Sequence, residues 1–244
     1  MDSSPSATVV LVHGNFLGPW SWREVAAQLG ANGISTVIAE LPSSVENLSS
    51  LGDLHDDAAV VRRILDTSAD PVVLCGHSYG GAVITEAAAG PHPAVRRLVY
   101  LAGVVPDKGE SLVSLAPEEA RRNTSSKPGE EVTFRTDGRI ELAEESARRT
   151  LFHDCATDRA RSGIRQLRPS NPAAGAQTVR GAAWRQIPVT YVRCMHDVLP
   201  ELVSESFPET EAELVELSTG HCPNWSNPEA VAEVLRRSVK QAMG

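Results

Sequence analysis

Residues 74–82 read LCGHSYGGA. The run just before, PVVLC at 71–75, is apolar and rich in β-branched residues; the run from 80 to 89 is small and alanine-rich. The first reads as a buried strand and the second as a helix packed tightly on a sheet. Between them, Gly76-His77-Ser78-Tyr79-Gly80 fits G-x-S-x-G. That pattern recurs by chance and gains meaning only between a strand and a helix, which is the context here. Gly81 extends the run of small residues and further separates it from an incidental serine in a glycine-rich turn. So sharp a turn forces its serine into a strained backbone geometry. Glycines two residues to either side remove the side chains that would collide. The Ser78 hydroxyl is then presented above the sheet edge, where the N-terminus of the following helix favours negative charge.

Outward from this turn the alternation repeats. Residues 8–12 (TVVLV), 35–39 and 95–101 read as further strands. Residues 20–29 place Trp22, Val25, Ala26 and Leu29 on one helical face, and residues 51–65 do the same with Leu54, Ala58, Val61 and Leu65. Strands alternating with helices predict an α/β fold whose mostly parallel central sheet is covered by helices on both faces. From about residue 106 to 185 the chain turns polar, with helical patches such as 141–152. Alternation resumes at 188–194 (PVTYVRC), continues at 214–217 and closes with an amphipathic helix over 228–242. The expected organisation is a core of residues 1–105 and 186–244 with an insertion, 106–185, folded as a helical lid. Such a lid would cover the carboxyl ends of the strands, where α/β sheets bind ligands. Phe134, Leu142, Leu151, Phe152, Ile164, Leu167 and Trp184 give the insertion apolar surface to fold around.

The bulk properties narrow the function. A net charge of −8 opposes a nucleic-acid partner, which needs a cationic face, and disfavours anionic membranes. No apolar stretch approaches the roughly 20 residues of a membrane span. The opening MDSSPSATVVLVHG has no basic segment, so no secretory signal is expected. Cys75, Cys155, Cys194 and Cys222 are far apart and form no C-x-x-C pair; this predicts free thiols in a cytoplasmic protein and no zinc site. The expected partner is a small molecule, without metal or cofactor, bound by a monomer or homodimer.

A serine hydroxyl needs a base. Seven histidines are available: His13, His55, His77, His92, His153, His196 and His221. In this architecture nucleophile, acid and histidine follow one another along the chain, which leaves His196 and His221. His196 abuts Asp197, so the two side chains diverge at a strand end. His221 lies in STGHCP, between the last strand and the last helix, and is the expected base. Asp197 directly follows a strand and is the expected acid, orienting His221 and stabilising its cation. Asp107, after the strand at 95–101, and Glu201 are the alternatives. The oxyanion is expected to meet two backbone N–H groups: that of Tyr79, after the nucleophile, and that of Asn15, in the loop after the first strand. Gly14 lets that loop approach closely, and Gly14 and Phe16 are expected at the substrate. His13 is expected to brace the loop.

These residues carry a resemblance. LVHGNFLGPWSW (11–22), GHSYGG (76–81), YVRCMHDVLP (191–200) and STGHCPNWSNPEAVAEVL (218–235) resemble the plant methylesterase and hydroxynitrile lyase group of α/β-hydrolases and its bacterial relatives. FHDC (152–155) and QLRPS (166–170) resemble lid segments of the bacterial members. The resemblance implies an α/β-hydrolase fold, with Asp197 as acid and His221 as base. The lyases of this group carry a threonine after the first motif histidine and a lysine after the catalytic one. Here those positions are Gly14 and Cys222, which resembles the esterases. Ser78 also departs from epoxide hydrolases and dehalogenases, whose nucleophile is an aspartate. The expected function is a serine hydrolase acting on a small or medium carboxylic ester, thioester or lactone. C–C bond cleavage on the same side chains and a ligand-binding pseudoenzyme are the alternatives.

Four further expectations concern single residues. Trp20 and Trp22 should pack the first helix. Trp225 should either line the pocket or pack at a helix start. Cys222 is expected to be partly exposed. Asp154 should either reach the pocket or pin the lid.

Overall fold

A computed structural model describes residues 7–118 and 132–244. Six parallel strands form the central sheet: β1 (Thr8–Val12), β2 (Ser35–Ile38), β3 (Val72–His77), β4 (Val95–Leu101), β7 (Val189–Cys194) and β8 (Glu213–Leu217). Their spatial order is β2-β1-β3-β4-β7-β8. β3 is therefore internal, with Cys75 opposite Leu11 on one side and Val99 on the other. Every residue of β3 is buried, as a strand covered on both faces must be.

Successive strand residues point to opposite faces, and the apolar side chains divide accordingly. Val10, Val12 and Leu74 enter one core with α2 (Leu54–Asp66) and α3 (Gly80–Ala87). Val9, Leu11, Val73 and Cys75 enter the other with α1 (Arg23–Ala31) and a C-terminal helix, Pro228–Met243. Trp22 is fully buried in that second core. Asp53 caps α2 through a capping box, its carboxylate accepting from the His55 and Asp56 amides. Such a cap stabilises a helix by about 1 kcal/mol.

Residues 106–185 lie between β4 and β7 and are not purely helical. Beside α4 (Leu112–Leu115), α5 (Glu144–Thr150), α6 (Thr157–Ile164) and α7 (Pro172–Ala176) they carry an antiparallel hairpin, β5 (Val132–Phe134) with β6 (Ile140–Leu142). Glu141 and Leu142, expected in a helix, are strand. The helix starts at Glu144, where the sequence turns acidic in the first turn and basic in the last, as the helix dipole favours. Leu151 and Phe152 join Leu17, Trp20, Cys222 and Trp225 in a third cluster, which fastens this segment to the core. Phe134 takes no part in a core and is exposed.

Candidate active site

Three strand ends converge above the sheet. Ser78 follows β3, Asp197 follows β7, and His221 lies between β8 and a short helix, α8 (Pro223–Ser226), which precedes the C-terminal helix α9 (Pro228–Met243). Ser78 has a left-handed backbone, φ 53°, rare outside glycine. Hydrogen bonds hold it there: its N–H donates to Leu101, and its carbonyl accepts from Gly81 and Val104. A side chain at Gly76 would strike the Gly80 carbonyl, and one at Gly80 would lie 2.7 Å from the Val12 carbonyl. Glycine is thus required on both sides of Ser78, for a steric reason.

The Ser78 hydroxyl lies 2.9 Å from His221 Nε2, and His221 Nδ1 lies 2.7 Å from Asp197 Oδ2. Because a carboxylate only accepts, Nδ1 carries the proton and Nε2 of the neutral ring is left to accept from Ser78. Burial acts to raise the Asp197 pKa. The hydrogen bond from His221, its attraction when the ring is protonated, and the Leu199 amide on Asp197 Oδ1 (2.9 Å) outweigh it and hold the carboxyl below its ordinary range. The competing acids are engaged elsewhere. Asp107 pairs with Arg185, and Glu201 pairs with Arg193 at 2.6 Å.

His77 contributes in a way the sequence did not announce. Its Nε2 donates to the His221 carbonyl at 2.8 Å, and the two rings are 5.1 Å apart. Burial, followed by repulsion from His221 when that ring is protonated, pushes the His77 pKa down to about 3, so the His77 ring is neutral and donates steadily. The glycine-histidine-serine order in the turn was the available signal. His13 is fully buried against the Gly14 carbonyl, and burial lowers its pKa to about 4, which suits a bracing role.

A cavity of about 480 Å³ opens at Ser78 and His221. Among the described residues its walls are mainly apolar, including Phe16, Val104, Leu112, Leu142, Leu151, Tyr191, Leu199 and Leu202. Of its charged residues, Asp197 is bonded to His221 and Arg193 to Glu201. Asn15 and Phe16 border the cavity; Gly14 does not. A Cβ on Gly14 would lie 2.9 Å from Ser78 Cβ, so this residue allows the close approach of the loop to Ser78. Among the described residues the Asn15 and Tyr79 amides have no protein acceptor, whereas the Phe16 amide donates to Ser170 at 3.0 Å. Phe16 also has a left-handed backbone, φ 63°.

The segment between β4 and β7 grips the site's loops. Arg168 N–H donates to the Phe16 carbonyl (2.8 Å), and the Ser170 and Ser44 hydroxyls are bonded at 2.7 Å. His153 Nε2 donates to the His196 carbonyl (2.9 Å), and Asp154 accepts from the Gly220 amide (2.6 Å) and the Ser226 hydroxyl (2.8 Å). Asp154 therefore pins rather than reaching the pocket. Cys222 is fully buried, contrary to expectation, because α8 turns it into the cluster with Trp20 and Phe152; burial drives its thiol pKa well up. Trp225 packs in that short helix, three residues before α9 begins, edge to face on Trp20 at 5.0 Å and under Arg159 at 4.0 Å, and does not line the cavity.

The chain is similar to known proteins. “Probable hydrolase R7” of Phoma sp. is 30% identical over 243 residues, covering 93% of this chain and 96% of its own. Methylesterase 7 of Arabidopsis thaliana is 33% identical over 114 residues, 44% of each chain, which bears out the resemblance read from the motifs. The crystal structure of a pyrethroid hydrolase from Sphingobium faniae JZ-2 shares the fold, with a TM-score of 0.79 at 23% identity over 96% of this chain and 98% of that one. The pattern of the Alpha/beta hydrolase family matches residues 9–234, from the first strand into the last helix. Sheet order, the turn at Ser78 and this match agree: the chain belongs to the alpha/beta hydrolase family.

Proposed function

We propose that this protein is a serine hydrolase of small to medium, neutral carboxylic esters, working through an acyl-enzyme. The observation that carries the reading is the hydrogen-bonded series Ser78–His221–Asp197 ending on an apolar cavity. His221 Nε2 takes the Ser78 proton as Oγ attacks the ester carbonyl. Asp197 holds the imidazole in the tautomer that can do so and stabilises the cation that forms. The Asn15 and Tyr79 amides receive the developing oxyanion. His221 then protonates the leaving alcohol, and the acyl group stays on Ser78 until a water, activated by the same ring, releases the acid.

The cavity supports the substrate class. About 480 Å³ lies within the range for small-molecule sites, and its apolar walls favour an uncharged acyl or alcohol group. Residues 106–185 act in this reading as a cap whose α5 supplies Ser146 and Thr150 to the wall. Cyanohydrin cleavage finds no support, because Cys222 is a buried, neutral thiol where the lyases of the resembling group carry a lysine. Four free cysteines favour a reducing compartment, the cytoplasm. Among the described residues no helix is long and apolar enough to cross a membrane.

Labelling with a fluorophosphonate and mapping the adduct by mass spectrometry tests the nucleophile. The adduct is expected on Ser78, and its absence from the folded protein would remove the proposal's foundation.

A further inference from the structure

We infer that Asp154, with His153 beside it, is a positioning residue that sets the alignment of His221 against Asp197 and Ser78. This rests on the serine hydrolase reading. Asp154 lies in the chain between α5 and α6, far in sequence from the three residues it serves. Its Oδ2 accepts from the Gly220 N–H at 2.6 Å, one residue before His221, and from the Ser226 hydroxyl at 2.8 Å, at the end of the helix after His221. One carboxylate oxygen thus grips the His221 loop on both sides.

The neighbouring side chain grips the other loop. His153 Nε2 donates to the His196 carbonyl at 2.9 Å, one residue before Asp197. The two gripped loops are also tied to each other, by His196 N–H to Thr219 O (3.0 Å) and Met195 N–H to Leu217 O (2.8 Å). The fit is close. A Cβ on Gly220 would lie 2.6 Å from the His153 ring and 2.9 Å from the Asp154 carboxyl carbon. The Cys155 thiol, at 3.9 Å from Asp154 Oδ1, is the only other polar group among the described residues with a hydrogen bond to this carboxylate. The dipeptide touches neither Ser78 nor the cavity, so its effect passes through the loops.

A carboxylate suits this task. Charge-assisted bonds to a backbone amide and a hydroxyl are roughly twice as strong as neutral ones. Losing them leaves the amide unpaired and the loop free to shift, and a misplacement of about 1 Å can cost about a hundredfold in rate.

The test compares wild type with Asp154→Ala, Asp154→Asn and Ser226→Ala by two readouts that require no knowledge of the natural substrate. One is the low-field proton resonance of His221 Nδ1–H on Asp197. The other is the rate of fluorophosphonate labelling of Ser78, corrected for the folded fraction by thermal melting. Asp154→Ala should broaden or lose the resonance and slow labelling by about tenfold to a hundredfold. Asp154→Asn, which keeps one acceptor oxygen, should be intermediate. If Asp154→Ala does not fold, Ser226→Ala, which removes one donor, should slow labelling by a few-fold, about the worth of one hydrogen bond. A wild-type resonance and labelling rate in the folded variants would overturn the inference. A wild type inert to the probe would overturn the serine hydrolase reading instead, and the resonance would still decide the role of Asp154.

Discussion

The Tyr79 hydroxyl donates to Asp57 Oδ2 at 2.7 Å, beneath the turn that carries Ser78. Asp57 is fully buried on α2, and its Oδ1 accepts from the Ser43 amide at 2.9 Å. The residue whose amide is assigned to the oxyanion is therefore anchored by its side chain to a buried carboxyl on another helix.

Burial pushes the Asp57 pKa up to about 6, against the opposing hydrogen bonds from Ser43 and Tyr79. The folded state therefore holds this proton more tightly than the unfolded chain, whose carboxyl titrates near 4. Stability falls as pH rises from about 4 to about 6, by on the order of 3 kcal/mol at the upper end. Chemical denaturation across this range should show the fall in wild type and lose it in Asp57→Asn. Asp57→Ala, which strands the Tyr79 hydroxyl and the Ser43 amide, should cost about 2–4 kcal/mol at pH 5.

Asp197 and Asp107 make opposite predictions. Asp197→Asn removes the acceptor that fixes the His221 tautomer, and kcat should fall by about three to four orders of magnitude with KM little changed. Asp107→Asn breaks a largely surface pair with Arg185 and should cost about 0–1 kcal/mol without changing kcat. Ester kinetics on both variants distinguish the two acids.

Gly14→Ala should keep the fold and lose activity. Its Cβ would lie 2.9 Å from Ser78 Cβ and 3.3 Å from the His77 ring, so the loop bearing the Asn15 amide must retreat from Ser78. Losing one oxyanion donor costs about a hundredfold or more in kcat. Steady-state kinetics beside a thermal melt read both effects.

Ser170→Ala deprives the Phe16 amide of its acceptor at a residue with left-handed backbone. Leaving such a group unpaired costs about 1–3 kcal/mol. Because the loop also carries Asn15, kcat should fall together with the melting temperature, whereas Ser44→Ala, which leaves the Phe16 bond in place, should lower the melting temperature alone.

Much of this was readable in the residues. Strands rich in valine and leucine, such as Thr8–Val12 and Val72–His77, lie where their apolar runs predicted, because burial on both faces leaves a continuous signal. The G-x-S-x-G turn foretold where a strained serine would lie, since only glycines fit beside it. His221 and Asp197 could be chosen by chain order and strand ends, and the structure brings both to Ser78.

The segment between β4 and β7 was harder to read. Strands of three residues such as Val132–Phe134 and Ile140–Leu142 are too short to set a period, and their charged neighbours resemble those of a surface helix. The roles of Asp154, His153 and Ser170 depend on contacts across long stretches of sequence, with Asp154 meeting Gly220 and Ser170 meeting Phe16. No local pattern encodes such pairings. Asp57 is one of two acidic residues in the first turn of α2, and nothing local in the sequence marks its carboxyl as the buried one.

The most direct test of the central claim is turnover of p-nitrophenyl esters, from acetate to octanoate, by wild type and Ser78→Ala side by side. The account predicts wild-type turnover with an optimum set by the apolar cavity, and its loss in a Ser78→Ala protein that melts like wild type. Equal turnover by both proteins would contradict it, because ester cleavage would then not pass through Ser78.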